Sequence, residues 1–149
     1  MRREETVDYN IRATWQAIAR MYNQQAAKYG ATMSTGFVLL NINTEDGTPA
    51  TKIAPLMGLE ARSLTRILKS LEEAKMIYRA ADKTDKRLVR IFLTREGKIK
   101  KEKAREAVLL FNEKVREEVA PEKLNLFFDV LADINRVIDQ DNMFDKLGV

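Results

Sequence analysis

The side chains best suited to recognition chemistry lie between Thr51 and Gly97. Arg62, Ser63, Thr65, Arg66, Lys69 and Ser70 surround Leu64, Ile67, Leu68 and Leu71, whose spacing predicts an amphipathic helix with the aliphatic residues inward. A guanidinium bonds guanine bidentately, and hydroxyls reach phosphate or base edges, so this helix offers donors that duplex DNA accepts. Further on, the polar, basic loop DKTDK (Asp82 to Lys86) is followed by Arg87 and joins two short predicted strands. A bracing helix, a tight turn, a second helix and a basic hairpin form the order a DNA-reading module requires. The second helix enters the major groove, and the hairpin touches the neighbouring minor groove.

Those residues need a scaffold, and the periodicity supplies one. Ile11, Trp15, Ile18 and Tyr22 share a face of a helix predicted over Val7 to Tyr29, which Gly30 stops. A second helix, Ser34 to Asn43, is apolar all round and is expected to be buried. Asn43 to Pro49 reads as a loop. Thr51 is placed as the cap of a short helix, Lys52 to Met57, ended by Gly58 and shortened by Pro55. The recognition helix follows over Glu60 to Lys75, then strands at Ile77 to Ala81 and Leu88 to Leu93. Alternation puts Val89, Ile91 and Leu93 on the core side and leaves Arg90 opposite, free for solvent or phosphate. Thr94 opens a long helix, and Pro121 starts a last one with a stripe of Leu124, Phe127, Phe128, Leu131, Ile134 and Ile138.

Charge sharpens the picture. Thr51 to Arg105 holds 16 Lys/Arg against 7 Asp/Glu, a net of +9; the remainder holds 10 against 15, a net of −5, which together give the overall +4. A basic middle between acidic ends suggests that the middle faces a polyanion. The absence of cysteine removes disulfides and thiol chemistry. The absence of histidine removes the commonest general base and nearly all zinc sites. Glu45 and Asp46 sit on a turn without a phosphate-binding glycine loop or a second acidic cluster, so no enzyme, metal or cofactor is expected. No apolar run approaches a membrane span, and no signal peptide is apparent, so a cytoplasmic location is expected.

The phrase TKIAPLMGLEARSLTRILKSLEEAKMI, followed by DKTDKRLVRIFLTREG, resembles the MarR family of winged helix-turn-helix regulators. The resemblance implies a mainly α fold with a small two- to three-stranded β wing. It divides the single domain, 1–149, into N-terminal helices (7–45), a DNA-binding lobe (48–97) and C-terminal dimerisation helices (98–149). It places Ser63, Thr65 and Arg66, with Arg62 and Lys69 beside them, in the major groove. Asp85 and Arg87 match the wing's Asp-x-Arg, which implies that Arg87 enters the minor groove with Asp85 orienting it. Lys86 and Arg90 are counted beside them as DNA-binding on their own charge and position. The resemblance further implies a homodimer, a pseudo-palindromic operator, and repression relieved by a small aromatic or anionic effector. The chain departs from the family at two positions. Lys75 stands where many relatives carry glycine, and a left-handed lysine costs about 1 kcal/mol, so the turn is expected to differ. Pro55 replaces a helix-friendly residue in the bracing helix.

Plainer readings compete. Arg66 and Lys69 alone read as ordinary surface charges, Asp85 as a turn former and Arg87 as its ion-pair partner. Trp15 and Tyr22 read first as packing residues; the resemblance adds a role in an effector pocket. Lys98, Lys100, Lys101 and Lys103 cover more than one helical face, so at least two serve only solvation. Two rival functions remain at this stage: a non-specific DNA binder, and a helical interaction module whose basic wing meets an acidic protein.

Overall fold

Branched aliphatic residues decide where the core forms. A computed structural model describes residues 1–140 of the chain, so the end of the predicted 98–149 segment lies outside the described residues. The chain falls into two units, Met1–Val108 and Leu109–Val149.

The first unit opens with a 3-10 turn and α1 (Val7–Ala27), followed by α2 (Met33–Leu40). Thr32 caps α2: its hydroxyl accepts the Thr35 amide at 3.2 Å, and the Thr35 hydroxyl accepts the Thr32 amide at 3.0 Å. After the turn come β1 (Thr48–Pro49), α3 (Ala50–Met57), α4 (Ala61–Glu73), β2 (Ile77–Ala81) and β3 (Val89–Leu93). The antiparallel sheet runs in the order β1-β3-β2, with Ile77 opposite Leu93 and Thr48 opposite Ile91. Val38, Leu39 and Ile42, Ile53 and Ala54, Leu64, Leu68 and Leu71, and Ile77, Ile91 and Leu93 form one buried cluster. It joins the sheet to α2, α3 and α4.

Several expectations need correction. β1 lies in what reads as loop; two residues containing a proline carry no alternation to betray it. Thr51 does not cap α3, which begins at Ala50, two residues before the predicted start, with Pro49 at its N-cap. Pro55 stays inside α3 without shortening it, and Gly58 closes the helix in the left-handed region at φ 61°. Lys75 is also left-handed, at φ 56°, so the turn after α4 keeps the geometry expected of glycine. Two bonds hold it: the Met76 amide to the Leu71 carbonyl at 2.9 Å, and the Lys75 amide to the Glu72 carbonyl at 3.0 Å. Together they make a Schellman motif, with Met76 packed on the core cluster. Val89 is 44% exposed rather than buried, because the core cluster on that face of β3 stops at Ile91.

α5 (Arg95–Glu118) gives its first half to the first unit and its second half to the other. Thr94 caps it by accepting the Gly97 amide at 3.0 Å. In the second unit, α6 (Pro121–Asp139) starts on its proline as predicted. Leu124 is buried, whereas Leu126, Phe127, Phe128, Val130, Val137 and Ile138 are exposed. Among the described residues no helix is long and apolar enough to cross a membrane.

Candidate nucleic-acid interface

α4 is sharply two-sided. Leu64, Leu68 and Leu71 turn inward, with Ile67 packed against the cluster. At 3.6 residues per turn, Arg62, Arg66 and Lys69 fall on the opposite side, flanked by Thr65 on one hand and Ser63 and Ser70 on the other. All are exposed, and the three cations form no hydrogen bond or ion pair with any described residue. Their charge is therefore uncompensated at short range. Thr65 differs: its hydroxyl donates to the Ala61 carbonyl at 2.9 Å, so toward a ligand it acts as an acceptor.

The wing loop is built on Asp82, which sequence reading left without a role. One carboxylate oxygen accepts the Thr84 amide at 2.9 Å, the Thr84 hydroxyl at 2.7 Å and the Asp85 amide at 3.1 Å. The other accepts Arg90 Nε at 2.7 Å. Hydrogen bonds from Thr84 and Asp85, aided by the Arg90 charge, lower the Asp82 pKa from 3.8 to about 2. The Asp-x-Thr spacing, an Asx-turn signature, was the available clue. One step further, Asp85 accepts the Arg87 amide at 3.0 Å, Arg87 Nε at 3.2 Å and Nη2 at 3.4 Å. The Arg87 side chain is nonetheless 90% exposed, so the pair aims a solvent-facing guanidinium rather than burying it. Lys86 beside it is exposed.

Arg90 does not stand free as expected. Its side chain is only 26% exposed; besides Asp82 it donates from Nη1 to the Asp46 carbonyl at 3.3 Å. The structure therefore separates it from the exposed set formed by Arg62, Arg66, Lys69, Lys86 and Arg87. Sequence reading also missed Arg79 on β2, whose Nε lies 2.8 Å from the Glu72 carboxylate on α4. Seven residues and a turn separate the two, and no local pattern predicts the pairing. The basic stretch at the start of α5 likewise divides. Lys101 Nζ donates to the Ile42 carbonyl at 2.6 Å and Thr44 Oγ1 at 3.2 Å, Lys100 to the Tyr29 carbonyl at 3.4 Å, and Lys103 pairs with Glu106 at 3.0 Å.

Away from these cations, a cavity of about 220 Å³ opens among α1, α2, the end of α4 and the first half of α5. Tyr22, Phe37, Ser70, Met76 and Lys100 help line it. Tyr22 meets the Phe37 ring edge-on at 5.8 Å, and burial pushes its hydroxyl pKa up. Trp15, paired with Tyr22 in the expected pocket, does not line this cavity and is 51% exposed.

Comparison with known proteins follows the same lines. Residues 31–89, from α2 to the start of β3, match the MarR family model. The transcriptional regulator TtmR of Methylorubrum extorquens is 34% identical over 90 residues, 60% of this chain and 46% of that protein. The transcriptional regulator SarZ of Staphylococcus aureus is 31% identical over 97 residues, 64% of this chain and 66% of that one. The chain thus spans about half to two thirds of the length of these curated relatives. Among solved structures, the S. aureus MepR–DNA complex superposes with a TM-score of 0.81 at 21% identity, covering 89% of this chain and 98% of MepR. CouR from Rhodococcus jostii, bound to p-coumaroyl-CoA, gives 0.77 at 19% identity, covering 90% and 94%. At such identities the structures speak for the fold, while the sequence match speaks for descent. The chain belongs to the MarR family and has its winged helix-turn-helix fold.

Proposed function

We propose that this chain is a sequence-specific, double-stranded DNA-binding transcriptional regulator, not an enzyme, acting inside the cell as a homodimeric repressor on a pseudo-palindromic operator. The observation that carries the reading is the row of uncompensated cations on α4, Arg62, Arg66 and Lys69, set opposite the leucines that fix the helix to the core. Ser63 and Thr65 flank that row, and on the wing Lys86 and the exposed, Asp85-paired Arg87 add further cationic groups. In the proposed complex α4 lies in the major groove and Arg87 in the adjacent minor groove, where a narrow A/T-rich groove attracts arginine. MepR, which shares the fold, has been captured on DNA, and the curated relatives are transcriptional regulators.

The dimer reading rests on α6, whose Leu126, Phe127, Phe128 and Val130 are exposed in the single chain, and on Val7, Ile11 and Trp15 of α1. Apolar faces of that extent favour a second copy. An aromatic or anionic effector fits the cavity lined by Tyr22, Phe37 and Lys100, and CouR, of the same fold, binds an aromatic acyl-CoA. Such an effector acts only through its differential affinity for the two dimer shapes.

The test is fluorescence-anisotropy binding to DNA upstream of the protein's own gene, beside a scrambled duplex, across a salt series. Specific regulation predicts a preference on the order of 10³-fold or more for the native duplex. Equal and steeply salt-dependent binding to both points to a non-specific binder. No binding at low salt returns the basic wing to an acidic protein partner.

A further inference from the structure

Arg90 sits where three pieces of backbone meet: the turn before β1, the end of β2 and the wing loop. The turn is itself fixed, since Asn43 Oδ1 accepts the amides of Glu45 and Asp46, both at 2.9 Å. Arg90 takes the Asp46 carbonyl with Nη1 and the Asp82 carboxylate with Nε, so one planar guanidinium spans turn and wing. Asp82 holds the Asp85 amide, and Asp85 holds the Arg87 guanidinium. The hydrogen bonds therefore run without a break from Asp46 to the exposed Arg87.

We propose that Arg90 and Asp82 are positioning residues that fix the wing so that Arg87 is presented to DNA, and that Arg90 itself makes no DNA contact. The inference rests on the DNA-binding reading above. Three features support it. Arg90 is the most sheltered arginine of the wing, its side chain 26% exposed against 90% for Arg87. Its charge is already balanced by a carboxylate held at 2.7 Å, which lessens its attraction for phosphate. Asp82 has no attractive role at a polyanion, so its presence at the base of a basic wing calls for a structural purpose.

The experiment measures anisotropy with wild type, Arg90→Ala, Arg90→Gln, Asp82→Ala, Arg87→Ala and the double variant Arg90→Ala/Arg87→Ala. Each is titrated onto the operator duplex with A/T-rich and with G/C-rich flanks, and thermal melting establishes that it is folded. Positioning predicts that Arg90→Ala weakens binding on the order of tenfold, and that adding it to Arg87→Ala costs nothing more. The preference for A/T-rich flanks should fall with it. Asp82→Ala should also weaken binding, although loss of a negative charge by itself favours DNA. Arg90→Gln is shorter and neutral, keeps an N–H at about the reach of Nε while losing the Nη1 donor to Asp46, and serves if the alanine variant fails to fold. Additive losses in the double variant, or stronger binding by Asp82→Ala, would overturn the proposal, as would unchanged affinity in both Arg90 variants. If the wild type itself discriminates no duplex, the DNA reading fails and takes the inference with it; that failure shows in the wild-type titration and not in the variants.

Discussion

Gly97 lies so close to the Met76 carbonyl that a β-carbon built on it would sit 1.9 Å from the oxygen. The contact is with backbone, so no side chain can swing aside. It exists because Thr94 draws the start of α5 onto the turn after α4: its amide donates to Met76 O at 3.0 Å, and its hydroxyl to Lys75 O at 2.7 Å. Gly97→Ala should therefore destabilise the fold by about 3 kcal/mol, read as a fall in denaturation midpoint. Gly36→Ala supplies the contrast. Its β-carbon meets only Ala104 Cβ at 3.6 Å, inside α2, so alanine should stabilise by about 0.5–1 kcal/mol. An unchanged midpoint for Gly97→Ala would show that crowding at Met76 is relieved cheaply.

Lys75 occupies the left-handed position of the Schellman turn that closes α4. A side chain there costs about 1 kcal/mol that glycine avoids. Lys75→Gly should raise stability by about that amount in chemical denaturation. An unchanged or lowered midpoint would mean that the lysine makes compensating interactions.

That position also shows how far sequence reasoning reaches. The residue type argued against a left-handed turn, and the local cost was real. Hydrogen bonds to Leu71 and Glu72, with Met76 seated on the core, outweigh it. The helices and the wing strands were legible because Leu64, Leu68 and Leu71 or Ile91 and Leu93 repeat at the period of the element that buries them. The exposed α4 face followed by subtraction. What escaped was tertiary: Arg79 reaching Glu72, Lys101 reaching the Ile42 carbonyl and Arg90 reaching Asp46 join residues far apart in the chain. Alternation places Arg90 opposite the core side of β3, but only the folded turn before β1 reveals what occupies that side.

Asp82 gives the wing an acid limit. Its folded pKa is depressed from 3.8 to about 2, chiefly by bonds from Thr84 and Asp85. A depressed carboxylate contributes stability that is fully present above its unfolded pKa and disappears as pH falls through the folded one. Asp82→Asn should thus be less stable than wild type at pH 6. The gap should narrow below pH 3.8 and close near pH 2. Denaturation midpoints of the two proteins across this range test it; a gap independent of pH would assign the loss to shape rather than charge.

Arg66 is the sharpest test of the role proposed for α4. It projects opposite Leu64 and Leu68, has no ion-pair partner among the described residues, and sits beside Arg62 and Lys69. Under the proposed function, a guanidinium so placed either reads a base edge or neutralises a phosphate, and the two leave different signatures. Base readout predicts that Arg66→Ala costs about 1–3 kcal/mol on the operator and flattens discrimination at one base pair. A phosphate contact predicts equal weakening on every duplex and a smaller salt slope. The exposed position opposite the core favours base readout, because the centre of that face is the part of α4 that can enter the groove most deeply. Binding to a set of operators changed one base pair at a time, at two salt concentrations, separates the outcomes. Unaltered affinity throughout would remove Arg66 from the interface.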